Sequence, residues 1–205
     1  MKELKKATTE EKILEAAKEV FMKYGLYGAR MQDIADTAGI NKALLHYYFR
    51  NKEKLFDKIF EGALQKYFQQ IDVFSDSSLP IKERVFKYVD NIVAFLSEYP
   101  QMSMFIIKEI SINPELFKGK VLALKNPKSV HLIQVLEEEI AAGRIKKIDP
   151  VMFIINLHSL CSYPFIGAPL FKNLMKVHGK DWDKDFSADK LKQSVKNFVE
   201  FTFGK

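Results

Sequence analysis

Residues 31–52, MQDIADTAGINKALLHYYFRNK, constrain this chain more than any other stretch, because two short helical patterns are hinged there at Ala38-Gly39-Ile40-Asn41. Ile34, Ala35, Ala38, Ile40, Leu45 and Phe49 fall where a helix-turn-helix needs its inner face. Asn41, Lys42, Ala43, His46, Tyr47 and Arg50 are left on the outside of the second helix. A short helix with such a face fits the major groove of duplex DNA, about 12 Å wide. The chain reads as DNA-binding.

Its 205 residues allow a small head and a larger body with a core of its own. No run of about 18 uncharged apolar residues occurs, so no membrane span is expected. Charges scattered through MKELKKATTEEKILEAAKEV argue against a secretory signal. A single cysteine, Cys161, makes no internal disulfide and suits a reducing, cytoplasmic setting. The net charge of +6 is mild and evenly spread. Residues 1–60 hold 12 lysines and arginines against nine acidic residues, and the remainder holds 20 against 17. This is no polybasic tail that grips any polyanion. Lys2, Lys5 and Lys6 read equally well as a short arm along the DNA backbone or as a solvated terminus.

Helical signals run from end to end. Thr8 or Thr9 can cap a first helix, with Glu10 and Glu11 in its first turn and Gly25 as its stop. Asn51 is placed to cap a long helix from Lys52 to about Phe74, striped by Leu55, Phe56, Ile59, Phe60, Ala63, Tyr67 and Phe68. Val85 to Tyr99 marks another, stopped by Pro100, and Met102–Ile112 a shorter one. Glu115 to Ala142 follows, with Pro127 as a break or kink. Pro150 opens a strongly apolar helix to about Tyr163, which the Pro164…Gly167…Pro169 region must bend or end. A charged loop around His178–Lys190 precedes a last helix over about 188–203. No strand pattern, internal repeat or low-complexity segment interrupts this, so the expected fold class is all-α.

Residues of about 10–60 resemble the N-terminal domain of TetR/AcrR-type bacterial repressors. The likeness is carried, in order, by Ile-Leu-x-Ala-Ala, by the Phe…Tyr-Gly end of the first helix and by the Ile-Ala…Ala-Gly-Ile core. It continues through Tyr47-Tyr48-Phe49 and the Asn-Lys-Glu-x-Leu start of the fourth helix. It covers about the first third of the chain; the body shares only the layout of helices. The resemblance implies a three-helix head over residues 8–60, its helix-turn-helix at about 31–50. It implies a helical regulatory and dimerisation body over 61–205, and a homodimer paired through about 150–163 and 188–203. It further implies a repressor that a small effector releases from a palindromic operator in double-stranded DNA.

Carried onto this sequence, the reading helix is about Lys42–Phe49. Asn41 is expected to cap it and reach a phosphate, and Lys42 a phosphate or a guanine. Ala43 and Leu44 suit thymine methyls on the groove floor, although Leu44 also reads as packing inward. His46 is either a base-edge contact or a plain surface histidine, and Tyr47 a phosphate contact. Lys52 matches a phosphate-contacting lysine of the family; Gln32 can reach a base edge and Arg30 a phosphate. Departures matter too: Gly28-Ala29-Arg30 replaces the hydroxyl residue common ahead of the second helix, and Ala43-Leu44 the frequent Gly-Thr. Base preferences cannot be borrowed from a relative.

The body is rich in Phe, Tyr and Met, residues that line an apolar cavity or simply fill a core. Its expected effector-binding residues are Phe105, His131, Asn156, Ser159 and Tyr163. Asn156 and Ser159 share a face at i, i+3, as do His158 and Cys161, suited to a ligand's polar end or to bonds across a dimer. No Cys-x-x-Cys, His-Glu-x-x-His or phosphate-binding glycine loop occurs, so no metal or cofactor is expected. No nucleophile–base constellation suggests an enzyme. A DNA-bound protein-interaction factor without a small-molecule effector is the other reading.

Overall fold

The computed structural model describes residues 8–115, 119 and 132–204, and among these every regular element is helical. The elements are α1 (Thr9–Gly28), α2 (Met31–Ala38), α3 (Lys42–Tyr48), α4 (Lys52–Gln69), a 3₁₀ turn (Asp72–Ser75), α5 (Ile81–Glu98) and α6 (Met102–Ile112). They continue as α7 (Leu132–Ala141), α8 (Pro150–Ile166), α9 (Ala168–Val177), α10 (Trp182–Asp185) and α11 (Ala188–Phe203). By packing, the chain forms two compact units. One joins Met1–Gln65 with Met104–Ala123, and the other joins Lys66–Ser103 with Leu124–Lys205.

In the first unit, Thr8 caps α1 through a full capping box: its hydroxyl accepts from the Glu11 amide, and the Glu11 carboxylate accepts from the Thr8 amide. Ile13, Ala17 and Phe21 of α1 are buried with Ile34 and Ala35 of α2, Leu45 of α3, and Leu55, Phe56 and Phe60 of α4. Phe21 meets Phe56 edge-on at 5.1 Å, and Phe56 stacks on Phe60 at 5.5 Å. Phe105 of α6 completes this cluster, 6.1 Å from Phe56 and 5.8 Å from Phe60. Phe105, expected among the effector-lining residues, thus packs with the aromatic residues of α4. An aromatic on a strongly apolar helix gives no periodic sign of which core it joins.

In the second unit, α5 packs against α8 and α11, and α8 also against α7 and α9. Val85, Val89, Ile92 and Leu96 of α5 meet Phe153, Leu157 and Cys161 of α8 and Val195, Val199 and Phe203 of α11 in the buried core. The buried Arg84 guanidinium donates to the Leu79 carbonyl at 2.7 Å and the Phe74 carbonyl at 3.4 Å, tying the 3₁₀ turn to α5.

Three expectations shift. The helix from Lys52 ends at Gln69 rather than near Phe74, because the Gln70 and Ile71 amides turn back to Tyr67 and Phe68 in i→i+3 bonds. The apolar helix from Pro150 runs through Pro164 to Ile166, and Gly167 then starts a second helix bent from it by 69°. The charged segment around 178–190 holds the short α10, where Trp182 stacks between Phe171 at 5.6 Å and Phe186 at 4.3 Å. Most of the helix expected over 115–142, and the basic arm Lys2, Lys5 and Lys6, lie outside the described residues. Among the described residues no single helix is long and apolar enough to cross a membrane; α8 and α9 pass by length and composition only as their bent pair.

Candidate nucleic-acid interface

The head presents its charged and polar side chains because three local devices hold α2 and α3 at a sharp turn. Gly39 takes the left-handed conformation at φ +66°, and its amide and that of Ile40 close onto Ala35 and Asp36 carbonyls. Asn41 Oδ1 then accepts from the Leu44 amide at 2.8 Å, capping α3. Leu45, fully buried, anchors the helix from beneath. At the far end Asn51 Oδ1 accepts from the Lys54 amide at 2.9 Å and starts α4.

With Leu45 turned inward, Asn41, Lys42, Ala43, Leu44, His46 and Tyr47 are all exposed, Tyr47 by 82%. Leu44 is 37% exposed. Tyr48 is exposed too and meets the Tyr47 ring edge-on at 5.5 Å, whereas Phe49 is half-buried. Arg30 is exposed at the head of α2 and makes no side-chain cap, as the missing hydroxyl residue led one to expect. Gln32 is exposed beside it, its amide donating to Asp36 at 2.8 Å. Lys52 is half-buried, and its ammonium donates to the Ala29 carbonyl at 3.1 Å. A lysine ammonium has three donors, so this bond steers the group toward the α2 start while leaving donors over.

The second unit holds a different kind of polar group. His158, half-buried on α8, has both ring nitrogens engaged: Nε2 lies 2.8 Å from the Tyr67 hydroxyl and Nδ1 2.7 Å from that of Tyr88. Burial lowers the imidazole pKa and raises that of both tyrosines, and it pushes the Cys161 thiol up to about 12. Asn156, Ser159 and Tyr163, expected to meet an effector, are exposed on α8, and His131 lies outside the described residues. The polar residue of α8 that turns inward is His158, and its partners are Tyr67 of α4 and Tyr88 of α5. A buried tyrosine needs a hydroxyl partner, which is the one sequence signal that pointed there.

A cleft of about 540 Å³ opens at the start of α5, bordered by the ion pairs Lys82–Glu200 and Arg144–Glu139, each 2.6 Å. Among the described residues no group of three or more His, Cys, Asp or Glu is placed to hold a metal ion.

Residues 13–59 match the family model of bacterial regulatory proteins of the tetR family. The uncharacterised HTH-type transcriptional regulator YhgD of Bacillus subtilis is 30% identical over 139 residues, covering 67% of this chain and 72% of YhgD. The chain belongs to the TetR family.

As a TetR-family member it is a DNA-binding transcriptional regulator, and its relatives are regulators rather than enzymes. RutR of Escherichia coli K12, another HTH-type transcriptional regulator, is 28% identical over 142 residues, 67% of this chain and 65% of RutR. The crystal structure of a TetR-like transcriptional regulator from Rhodococcus sp. RHA1 superposes with a TM-score of 0.67 at 18% identity, over 98% of this chain and 100% of that one. The likeness of fold therefore runs through the body as well as the TetR-type head.

Proposed function

We propose that this TetR-family regulator is a homodimeric repressor that a small, largely apolar effector releases from a palindromic operator. The observation that carries the reading is the outer face of α3, where Lys42, Ala43, Leu44, His46 and Tyr47 stand free around a buried Leu45. In this reading Arg30, Asn41, Tyr47 and Lys52 hold phosphates and set the register of the head. Gln32, Lys42 and His46 meet base edges, and Ala43 and Leu44 the thymine methyls.

Dimerisation draws support from α8 and α11. Val151, Met152, Ile155 and Tyr163 are about half exposed on α8, and Phe201 on α11 is 84% exposed. Large apolar side chains left in water along adjacent helices mark a protein contact. Asn156 and Ser159, exposed beside them, fit hydrogen bonds across the two-fold axis. A two-fold dimer sets its heads for half-sites about 34–36 Å apart, one helical turn, and an effector that prefers another separation releases DNA by shifting the population. While bound, the dimer denies the operator to polymerase.

Selection of bound sequences from random duplex DNA at ~150 mM salt tests this, because weak non-specific binding is suppressed there. A palindrome with half-sites one turn apart is the expected result. Enrichment of single half-sites would remove the dimer, and no enrichment would remove the operator.

A further inference from the structure

Gln32 and Asp36 lie one turn apart on the exposed face of α2, away from the buried Ile34 and Ala35. The Gln32 amide nitrogen donates to Asp36 Oδ1 at 2.8 Å. A carboxylate only accepts, so the nitrogen must be the amide atom that faces it. An amide able to present either end is thereby held one way round, with Nε2 toward Asp36 and Oε1 away. The Gln32 side chain forms no other hydrogen bond among the described residues, so Oε1 and the second N–H stand free at the surface.

Helix stability alone does not call for an acid at Asp36. The residue falls in the last turn of α2, where the helix dipole disfavours negative charge, and no basic residue shares that turn. Among the described residues its carboxylate enters no ion pair, and its side-chain hydrogen bond goes to Gln32. On a surface that meets DNA, a negative charge also lowers affinity for every sequence, because it faces phosphates. What Asp36 does supply is a fixed Gln32 amide.

We infer that Asp36 is a positioning residue for base reading, holding the Gln32 amide so that this side chain reads adenine. The inference rests on the reading of Gln32 as a base contact and names the base. In the major groove adenine offers the N6 donor and the N7 acceptor, which match Oε1 and the free N–H. Guanine offers two acceptors, N7 and O6, and bonding both takes two donors. One Gln32 N–H is already held by Asp36, and Oε1 would meet the second guanine acceptor lone pair to lone pair. Cytosine gives Oε1 a single donor, and thymine gives it none. Asp36 thus turns an amide that can bond either purine into one that tells them apart.

The test uses the full-length protein and operator duplexes carrying each of the four bases at the position that responds to Gln32→Ala. The unsubstituted protein is expected to favour adenine over guanine about tenfold, the discrimination of one good bidentate pair. Asp36→Asn offers Gln32 both a donor and an acceptor, so the amide can turn, and the ratio is expected to fall toward one. Asp36→Ala is expected to act the same way, which keeps the test decisive if either variant folds poorly. Loss of the charge by itself raises affinity for all four duplexes together and leaves their ratio alone. In the Gln32→Ala background neither Asp36 substitution is expected to move the ratio. An unchanged ratio in both Asp36 variants, an equal change in the absence of Gln32, or a preference for any base but adenine overturns the inference and keeps Gln32 as a base contact. If no position responds to Gln32→Ala, its base-reading role falls and the inference with it, while the operator stands. A protein that selects no operator removes both.

Discussion

Gly25 turns at φ +70°, and a Cβ added there would stand 2.5 Å from Glu109 Oε1. The same carboxylate oxygen accepts from the Leu26 amide at 3.3 Å, so Glu109 of α6 occupies the notch where α1 breaks. The glycine serves two needs at once: a left-handed backbone and room for a buried acceptor. Gly39 shares the first need only, since a Cβ there meets nothing within 4 Å.

That contrast predicts unequal costs. Gly39→Ala should lose about 1–2 kcal/mol from backbone strain alone. Gly25→Ala should lose more, because Glu109 must also shift and the Leu26 amide loses its acceptor. Urea unfolding of the two variants measures both, and equal midpoints would mean that the notch yields freely.

Glu109 is buried, and burial raises its carboxyl pKa above the ordinary carboxylate range. The folded chain therefore binds this proton more tightly than the unfolded chain. Its share of the stability is present below the unfolded pKa and declines as pH rises through the folded value. Glu109→Gln keeps an acceptor for the Leu26 amide and removes the charge. The variant should show a flatter fall in stability between the ordinary carboxylate range and neutral pH, read from urea midpoints across that interval. Parallel curves for the two proteins would assign the slope to other groups.

Lys52 and Gln32 should separate affinity from specificity. Lys52→Ala is expected to weaken binding to every sequence and to reduce the slope of log affinity against log salt by about one unit. Gln32→Ala is expected to change the preferred base at one position while leaving the salt slope alone, with Asp36 losing its 2.8 Å partner. Binding curves over a salt series on the selected operator and its point variants decide this. A sequence-dependent effect of Lys52 would show that the lysine is spent on the Ala29 carbonyl and positions α2 instead.

Ile155 is 51% exposed on α8. Changing it to Glu adds a charge to the proposed dimer face without entering the core, so the helix content should hold. Sedimentation equilibrium should report a monomer, and operator affinity should fall by orders of magnitude as the second half-site is lost. A dimer that survives would move the interface elsewhere, with the Leu170, Leu174 and Val177 edge of α9 next to examine.

The head was legible in the sequence because its determinants are local. Asn41 caps within three residues, Gly39 turns within one, and the apolar set Ile34, Ala35 and Leu45 recurs at helical spacing. The helix at 188–203 and the start at Pro150, capped by Asp149, were legible for the same reason. The inner face of α8 was not. That helix is apolar nearly all round, so periodicity cannot say which polar residue turns inward. Asn156 and Ser159 went outward and His158 inward. The partners that decide it, Tyr67 and Tyr88, lie 91 and 70 residues away. Phe105 was lost to the same ambiguity, joining Phe56 and Phe60 in the head. Caps, turns and amphipathic stripes are written in neighbouring residues, whereas the pairing of buried hydroxyls with an imidazole exists only once distant helices pack and water is excluded.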